Sequence, residues 1–292
     1  MSGWLVTGAG GMLGRDLVTV LDSRREAVTG LWRSDLDITD TAAVRRALDR
    51  WQPTVLVNCA AWTAVDDAEA REEDALRVNG HAVAVLAALC AARGITLVQL
   101  STDYIFDGHA SQPYPEDSVP APRTAYGRTK LAGERAVLEQ LHLVGYVVRT
   151  AWLYGAHRSS FVGTMISKAR GGATVRVVDD QYGQPSWTTD VASHIVSLVQ
   201  AAAPPGIYHA TSSGETTWFG LAQEVFRQLG ADPAQVSPIQ SASLDRPAPR
   251  PSYSVLGHAA WCHASLTPIG DWRLALRRAF PELLAATAAA RA

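Results

Sequence analysis

The sequence predicts an α/β fold, a doubly wound parallel sheet with a smaller C-terminal lobe. Three observations carry that prediction. Short apolar runs, partly β-branched, alternate with helical stretches through the first half of the chain, which is the rhythm of parallel strands joined by crossover helices. A glycine-rich turn, Gly8-Ala9-Gly10-Gly11-Met12-Leu13-Gly14, follows the first apolar run. Past Thr150 the alternation loosens without any low-complexity linker, so the second half reads as an extension of the first.

The elements follow in order. A strand is expected at 4–7, a helix from about 11 to 21, a strand at 27–32, and a helix at 41–51 with Asp40 or Thr39 as its N-cap. Pro53 introduces a strand at 54–58. One long helix should cover about 72–92, closed by Gly94. A strand at 95–100, a proline-rich loop at 113–122, a helix carrying Tyr126 and Lys130, and a strand at 143–149 complete the first half. Beyond it, helices are expected near 160–169, 189–202, 217–229 and 272–278, with short strands at 175–178 and 207–209 and a proline-rich loop at 245–251. Residues 1–150 therefore read as a dinucleotide-binding domain. Residues 151–292 read as a mixed region that completes the sheet and forms the lobe.

Composition narrows the function classes. Of 292 residues, 47% are hydrophobic and 18% charged, with a net charge of -2 and no basic block or acidic tail. Nothing in this favours nucleic acid or a membrane surface as partner. No uninterrupted apolar run reaches membrane-spanning length, and residues 1–3 lead into a strand without a charged, then apolar, leader. The expectation is a cytoplasmic protein. Three widely spaced cysteines, Cys59, Cys90 and Cys262, and eight histidines form no Cys-x-x-Cys, His-x-x-x-His or His-Glu-x-x-His pattern, so no metal site is expected.

The chemistry is concentrated in three places. Tyr126 and Lys130 stand four residues apart, on one face of a helix and one turn from each other. A free tyrosine ionises near pH 10, and a lysine cation one turn away is expected to draw that value down toward the working range. Upstream, Ser101-Thr102-Asp103-Tyr104 directly follows an apolar run. The third place is the glycine turn. Gly8 permits the tight turn, Gly11 lets the backbone approach a pyrophosphate, and Gly14 lets helix and strand pack closely. The helix that follows offers free amides and the positive end of its dipole. Together these read as a nicotinamide-dependent reductase. Cofactor choice is set at the end of the second strand, where an NAD enzyme places an acid. Here the run is Gly30-Leu31-Trp32-Arg33-Ser34, so Arg33 and Ser34 suit the 2′-phosphate of NADPH, with NADH as the alternative. Asp35 and Asp37 follow closely, and Asp37 is expected near the adenine.

Read together, several stretches resemble the extended short-chain dehydrogenase/reductase family, over nearly the whole chain, and within it the dTDP-4-dehydrorhamnose reductase branch. They are Asn58-Cys59-Ala60-Ala61-Trp62-Thr63-Ala64-Val65-Asp66, Ser101-Thr102-Asp103-Tyr104-Ile105-Phe106-Asp107-Gly108 and Tyr126-Gly127-Arg128-Thr129-Lys130. Arg149-Thr150-Ala151-Trp152-Leu153-Tyr154, Asp179-Asp180-Gln181-Tyr182-Gly183-Gln184-Pro185 and Arg250-Pro251-Ser252-Tyr253-Ser254 follow in order. The resemblance implies a Rossmann sheet, a substrate-binding C-terminal lobe, and reduction by NADPH or NADH of the C4 ketone of a dTDP-linked 6-deoxy-hexulose. Antibiotic-pathway ketoreductases acting on related dTDP-sugars share these motifs. The resemblance also assigns roles. Tyr126 protonates the developing alkoxide, Lys130 binds the nicotinamide ribose, and Thr102 hydrogen-bonds the ketone oxygen. Gly8, Gly11, Met12, Leu13, Gly14, Ala60 and Ala61 line the cofactor. Thr63, Asp66, Asp103, Tyr104, Trp152 and Arg250 face the sugar nucleotide. Asp66 and Asp67 read equally well as caps of the helix that follows them. One departure is Ser186, which stands where the family's Gly-x-Pro-Thr has threonine. A homodimer is the assembly considered.

Two other functions fit parts of the pattern. A nucleotide-sugar dehydratase of the same superfamily carries Thr-Asp-Glu where this chain has Thr102-Asp103-Tyr104, so the base for C5 proton abstraction is missing. A 4-epimerase needs only the tyrosine and keeps its NAD bound. The fold also hosts a non-catalytic regulatory subunit of methionine adenosyltransferase, but a scaffold has no need of Thr102, Tyr126 and Lys130 together.

Overall fold

The computed structural model describes residues 3–289. In chain order the first half comprises β1 (Gly3–Thr7), α1 (Met12–Ser23), β2 (Ala27–Leu31), α2 (Thr41–Trp51), β3 (Val55–Asn58), α3 (Val65–Ala70), α4 (Glu72–Leu76), α5 (Ala82–Ala91), β4 (Thr96–Thr102), α6 (Ala125–Gln140) and β5 (Gly145–Thr150). The second half comprises β6 (Leu153–Tyr154), α7 (Phe161–Arg170), β7 (Val175–Val178), β8 (Tyr182–Gly183), β9 (Ser186–Trp187), α8 (Thr188–Gln200), β10 (Gly206–His209), β11 (Thr216–Thr217), α9 (Trp218–Gln228), β12 (Val236–Ile239), α10 (Ala259–His263) and α11 (Trp272–Ala289).

Six strands form one parallel sheet in the order β10-β5-β4-β3-β1-β2. The chain winds outward from β1 to β2, returns to β3 and proceeds the other way. The crevice between the C-terminal ends of β1 and β3 is therefore the switch point where ligands of open α/β sheets bind. Alternation along each strand divides the interior. Val6, Val57, Val98 and Val148 join α1 and α8 in one core. Leu5, Leu56, Leu97 and Val147 join α2, α5 and α6 in the other. Fully burying each such side chain contributes about 1.5–3 kcal/mol, which is why both faces of the sheet must be covered. A third core, with Val162, Ile166, Leu221, Phe226, Trp272 and Leu276, lies in the second half. There β7 pairs with β12 in a small parallel sheet of its own.

Most of the expected elements form where the sequence places them, with three differences, and β6, β8, β9, β11, β12 and α10 are additional to them. The helix expected over 72–92 is preceded by α3 and is interrupted between α4 and α5 by a π turn, Arg77–His81. Residues 72–91 make the one helical stretch among the described residues long and apolar enough to cross a membrane, and half of it is buried within the fold. Asp40 is the N-cap of α2, accepting from the amides of Ala42 and Ala43. By contrast, Asp66 and Asp67 do not cap. They sit inside the first turn of α3, whose N-cap position is Ala64. Finally, α11 runs on from the expected 272–278 to Ala289 and carries Pro281 inside it.

Candidate active site

The glycine loop closes the end of β1. Gly8 has φ +65°, and a Cβ there would lie 2.5 Å from the Ala60 amide nitrogen, so both backbone conformation and space demand glycine. A Cβ on Gly14 would lie 2.4 Å from the Gly8 carbonyl oxygen, so α1 packs directly on the turn. The Gly11 amide donates to the Gly8 carbonyl at 2.9 Å. No side chain caps the N-terminus of α1, and no acid occupies its first turn. Its amides are left to an anion, which fits the diphosphate of a dinucleotide.

Exposed Arg33 and Ser34 flank the same cavity after β2. The nearby acids are engaged locally. Asp35 accepts from the Trp32 amide at 2.9 Å. Asp37 accepts from the Thr39 amide and hydroxyl at 2.9 and 2.7 Å, and these bonds hold its carboxyl below the usual range. Arg33 adds to that lowering, so the Asp37 charge still faces it at this rim.

Thr102 ends β4, and Tyr126 and Lys130 lie on α6. The Thr124 hydroxyl caps α6 by accepting from the Gly127 amide at 3.0 Å. A Cβ on Gly127 would sit 2.2 Å from the Tyr104 carbonyl oxygen, so the helix start rests directly on the turn after Thr102. Thr102 Oγ1 accepts from the Tyr104 amide at 3.2 Å and donates to Asp103 Oδ1 at 3.0 Å. Asp103 is 3% exposed and its Oδ2 has no hydrogen-bond partner. Burial pushes its carboxyl up to about 6, with the hydroxyls of Ser254 and Thr102 opposing.

The expected coupling of lysine and tyrosine is overturned. Burial pushes the Tyr126 phenol up to about 12, Asp103 adds to the rise, and the adjacent Thr102 hydroxyl opposes it. Lys130 has no part in that balance. Its Nζ donates to the Leu100 carbonyl at 2.5 Å, and burial draws its own value down to about 8, against the pull of Glu134 and Cys59. Desolvation outweighs charge attraction here because both side chains are buried.

A buried hydrogen-bond chain underlies this arrangement, and its members Gln99 and Asn79 carried no sequence signal of their own. The Thr7 hydroxyl donates to Asn58 Oδ1 at 2.6 Å, Asn58 Nδ2 to Gln99 Oε1 at 2.8 Å, and Gln99 Nε2 to the Leu100 carbonyl at 2.7 Å. Asn79, in the π turn, holds both polar groups of the Trp62 backbone and donates to the Thr129 hydroxyl. It thereby fixes the 59–64 turn against α6.

One cavity of about 1450 Å³ gathers these groups. The candidate residues that line it are Gly8, Gly11, Met12, Leu13, Gly14, Arg33, Ser34, Asp37, Ala60, Ala61, Thr63, Thr102, Asp103, Tyr104, Tyr126, Lys130, Trp152 and Arg250. Asp66 does not line it. Instead it pairs with Arg250 through two bonds of 2.9 and 2.7 Å and accepts from the Ala248 amide at 3.2 Å. The two residues expected to face a sugar nucleotide separately thus neutralise each other at the mouth, because the 246–251 loop folds back onto α3. Trp152 has φ +46° and stacks on Trp218 with centroids 3.6 Å apart. Trp218 and Arg176, which no sequence motif marks, also line the cavity, as do Gln181 from the Asp179–Pro185 stretch and Arg246, the next candidate arginine in the loop of Arg250. Among the described residues no group of three or more His, Cys, Asp or Glu could hold a metal ion.

A family model described as RmlD substrate binding domain matches residues 2–285. The chain belongs to that family. It is 57% identical over 284 residues to dTDP-4-dehydrorhamnose reductase of Streptomyces griseus, covering 96% of this chain and 93% of that one. It is 54% identical over 280 residues to dTDP-4-keto-6-deoxy-D-glucose reductase of Streptomyces niveus, covering 96% and 97%. Among solved structures, dTDP-4-dehydrorhamnose reductase from Bacillus anthracis str. Ames, in complex with NADP, matches with a TM-score of 0.92 at 32% identity, covering 97% of this chain and 100% of that chain. The match to the RmlD family takes in both the sheet with its glycine loop and the second-half lobe that closes the cavity.

Proposed function

We propose that the protein reduces the C4 ketone of a dTDP-4-dehydro-6-deoxy-hexose with NADPH. One observation carries this reading. Thr102, Tyr126 and Lys130 converge beside the glycine loop, in one cavity large enough for a dinucleotide and a sugar nucleotide together. Residues 1–150 supply the cofactor side and residues 151–292 most of the substrate side.

When bound, the dihydronicotinamide supplies the hydride. The chain's own residues do the rest. Lys130, fixed by the Leu100 carbonyl, is placed to hold ribose hydroxyls. Thr102, held by the Tyr104 amide, turns its one hydroxyl proton from Asp103 to the ketone oxygen and aligns the carbonyl. Tyr126 then donates its proton to the alkoxide. A phenol held near 12 is fully protonated at neutral pH, and an alkoxide is basic enough to take its proton. The same high value returns the proton from water once product leaves. The Asp66–Arg250 pair holds the 246–251 loop against α3, and Arg246 on the same loop lines the cavity as a candidate cation for the substrate diphosphate. The substrate is sugar-linked and nucleotide-activated, and the expected location is the cytoplasm.

The test is direct. Purified protein is incubated with dTDP-4-dehydro-6-deoxy-hexose epimers and NADPH, and the product is identified by mass and NMR. Cofactor oxidation with formation of a C4 alcohol is expected. The two Streptomyces relatives carry different sugar names, so the configuration of that alcohol decides the branch. No cofactor consumption with any epimer rules out the reading.

A further inference from the structure

We propose that Arg158 is the cation that meets the cofactor's diphosphate, delivered from the second half of the chain onto the glycine loop. This rests on the reading that the cavity binds a nicotinamide dinucleotide.

The loop itself brings no formal positive charge. From Gly8 to Gly14 it offers amides alone. The dipole of α1 is worth about half an elementary charge at its N-terminus, against the two negative charges of a diphosphate. A desolvated anion of that charge is held far better by a guanidinium, whose paired N–H groups match phosphate oxygens.

The segment after β6 supplies one. Gly155 packs with no side chain between its backbone and the neighbouring elements. A Cβ there would lie 2.2 Å from Thr188 Oγ1 and 3.2 Å from Met12 Cγ. Two residues on, His157 Nε2 lies 3.1 Å from Asp16 Oδ1, one turn along α1 from its first residue. The segment is thus pinned at two points to the helix whose N-terminus faces the cavity. Arg158 follows directly. Its Nε donates to the Gly10 carbonyl at 3.4 Å, and the residue lines the cavity with Gly10 and Gly11. Among the described residues that long bond is its one hydrogen bond. The two terminal nitrogens therefore keep their donors for a ligand. Arg33 serves the other end of the nucleotide, where it follows β2, so the two arginines predict different cofactor signatures.

The experiment measures binding and needs no turnover. NADPH and NADH are each titrated into wild-type protein, Arg158→Ala and Arg158→Lys, following energy transfer from tryptophan to the dihydronicotinamide. Arg158 is exposed, so the variants should fold normally. Arg158→Ala should raise Kd roughly tenfold for both cofactors alike, the range of one hydrogen bond to a charged group. Arg158→Lys should recover part of the loss. The KM for the sugar nucleotide should not change. Unchanged Kd values overturn the inference, and a loss confined to NADPH overturns it by moving Arg158 to the 2′-phosphate. Wild-type protein that binds neither nucleotide overturns the reading of the cavity itself, a result distinct from the other two.

Discussion

Lys130 should cost the protein stability, and removing it should show how much. Its ammonium is buried and held near 8, against an ordinary value of 10.5. That gap corresponds to about 3 kcal/mol against the charged form. The sign follows from proton uptake. Between about pH 8 and 10.5 the unfolded chain keeps the lysine proton while the folded chain releases it, so stability rises with pH across that window. Below it the full penalty stands. Lys130→Met keeps the length of the side chain and removes the charge. It also removes the bond to the Leu100 carbonyl, worth about 1 kcal/mol, although that carbonyl keeps its bond from Gln99. The variant should therefore be more stable than wild type by about 2 kcal/mol at pH 7. By about pH 10, where most of the penalty has gone, the two should be nearly equal. Urea unfolding of both proteins at the two pH values measures this, and turnover should fall by roughly 10²-fold or more. A variant no more stable at pH 7, or a gain that does not change with pH, would refute the burial argument.

Three further outcomes are expected. Tyr126→Phe should lower turnover by roughly 10²–10⁴ with NADPH binding nearly unchanged, and a loss under about tenfold would remove the tyrosine from the proton step. Arg33→Asp should erase or reverse a preference for NADPH over NADH by placing an acid at the ribose, and equal efficiency with both cofactors in the unmodified enzyme would deny Arg33 that role. A double-mutant cycle of Asp66→Ala and Arg250→Ala, read by thermal unfolding, should give a coupling of about 0.5–1 kcal/mol, because the Asp66 side chain is 42% exposed. Arg250 holds the Asp66 carboxyl below its usual range, so that coupling should be present at neutral pH and disappear as pH falls through the carboxylate range. A coupling that persists in acid would mean the contact is not ionic.

The sheet was legible because its strands are buried on both faces and bounded by turn residues, so Val55–Asn58 and Gly145–Thr150 stand out as apolar runs. The glycine loop and the Tyr126-x-x-x-Lys130 spacing were legible because local geometry fixes both. What escaped was set by tertiary contact. Two-residue strands such as Leu153–Tyr154 and Ser186–Trp187 exist only through each other and carry no periodicity. The Asp66–Arg250 pair joins residues 184 apart in sequence, which no spacing rule reports. The proton affinity of Tyr126 was misjudged because sequence shows which charges are near and not how much water is excluded. Trp218 reaches the cavity by stacking on Trp152, and only the fold brings those two rings together.

The π turn at Arg77–His81 amounts to one residue more than a regular helix needs. An α-helix advances about 100° per residue, and the wide turn absorbs that surplus, so deleting one residue there would let α4 and α5 run on as regular helix with their faces kept and the wide turn lost. Asn79 would then swing away from Trp62 and Thr129. The 59–64 turn would lose its tie to α6 and the cofactor wall its seat, although the helix itself would be more regular. Length in this stretch is consequently constrained to the single residue, and tolerance to insertion or deletion should be lower inside this helix than at exposed Val119, whose own backbone lies outside any helix or strand.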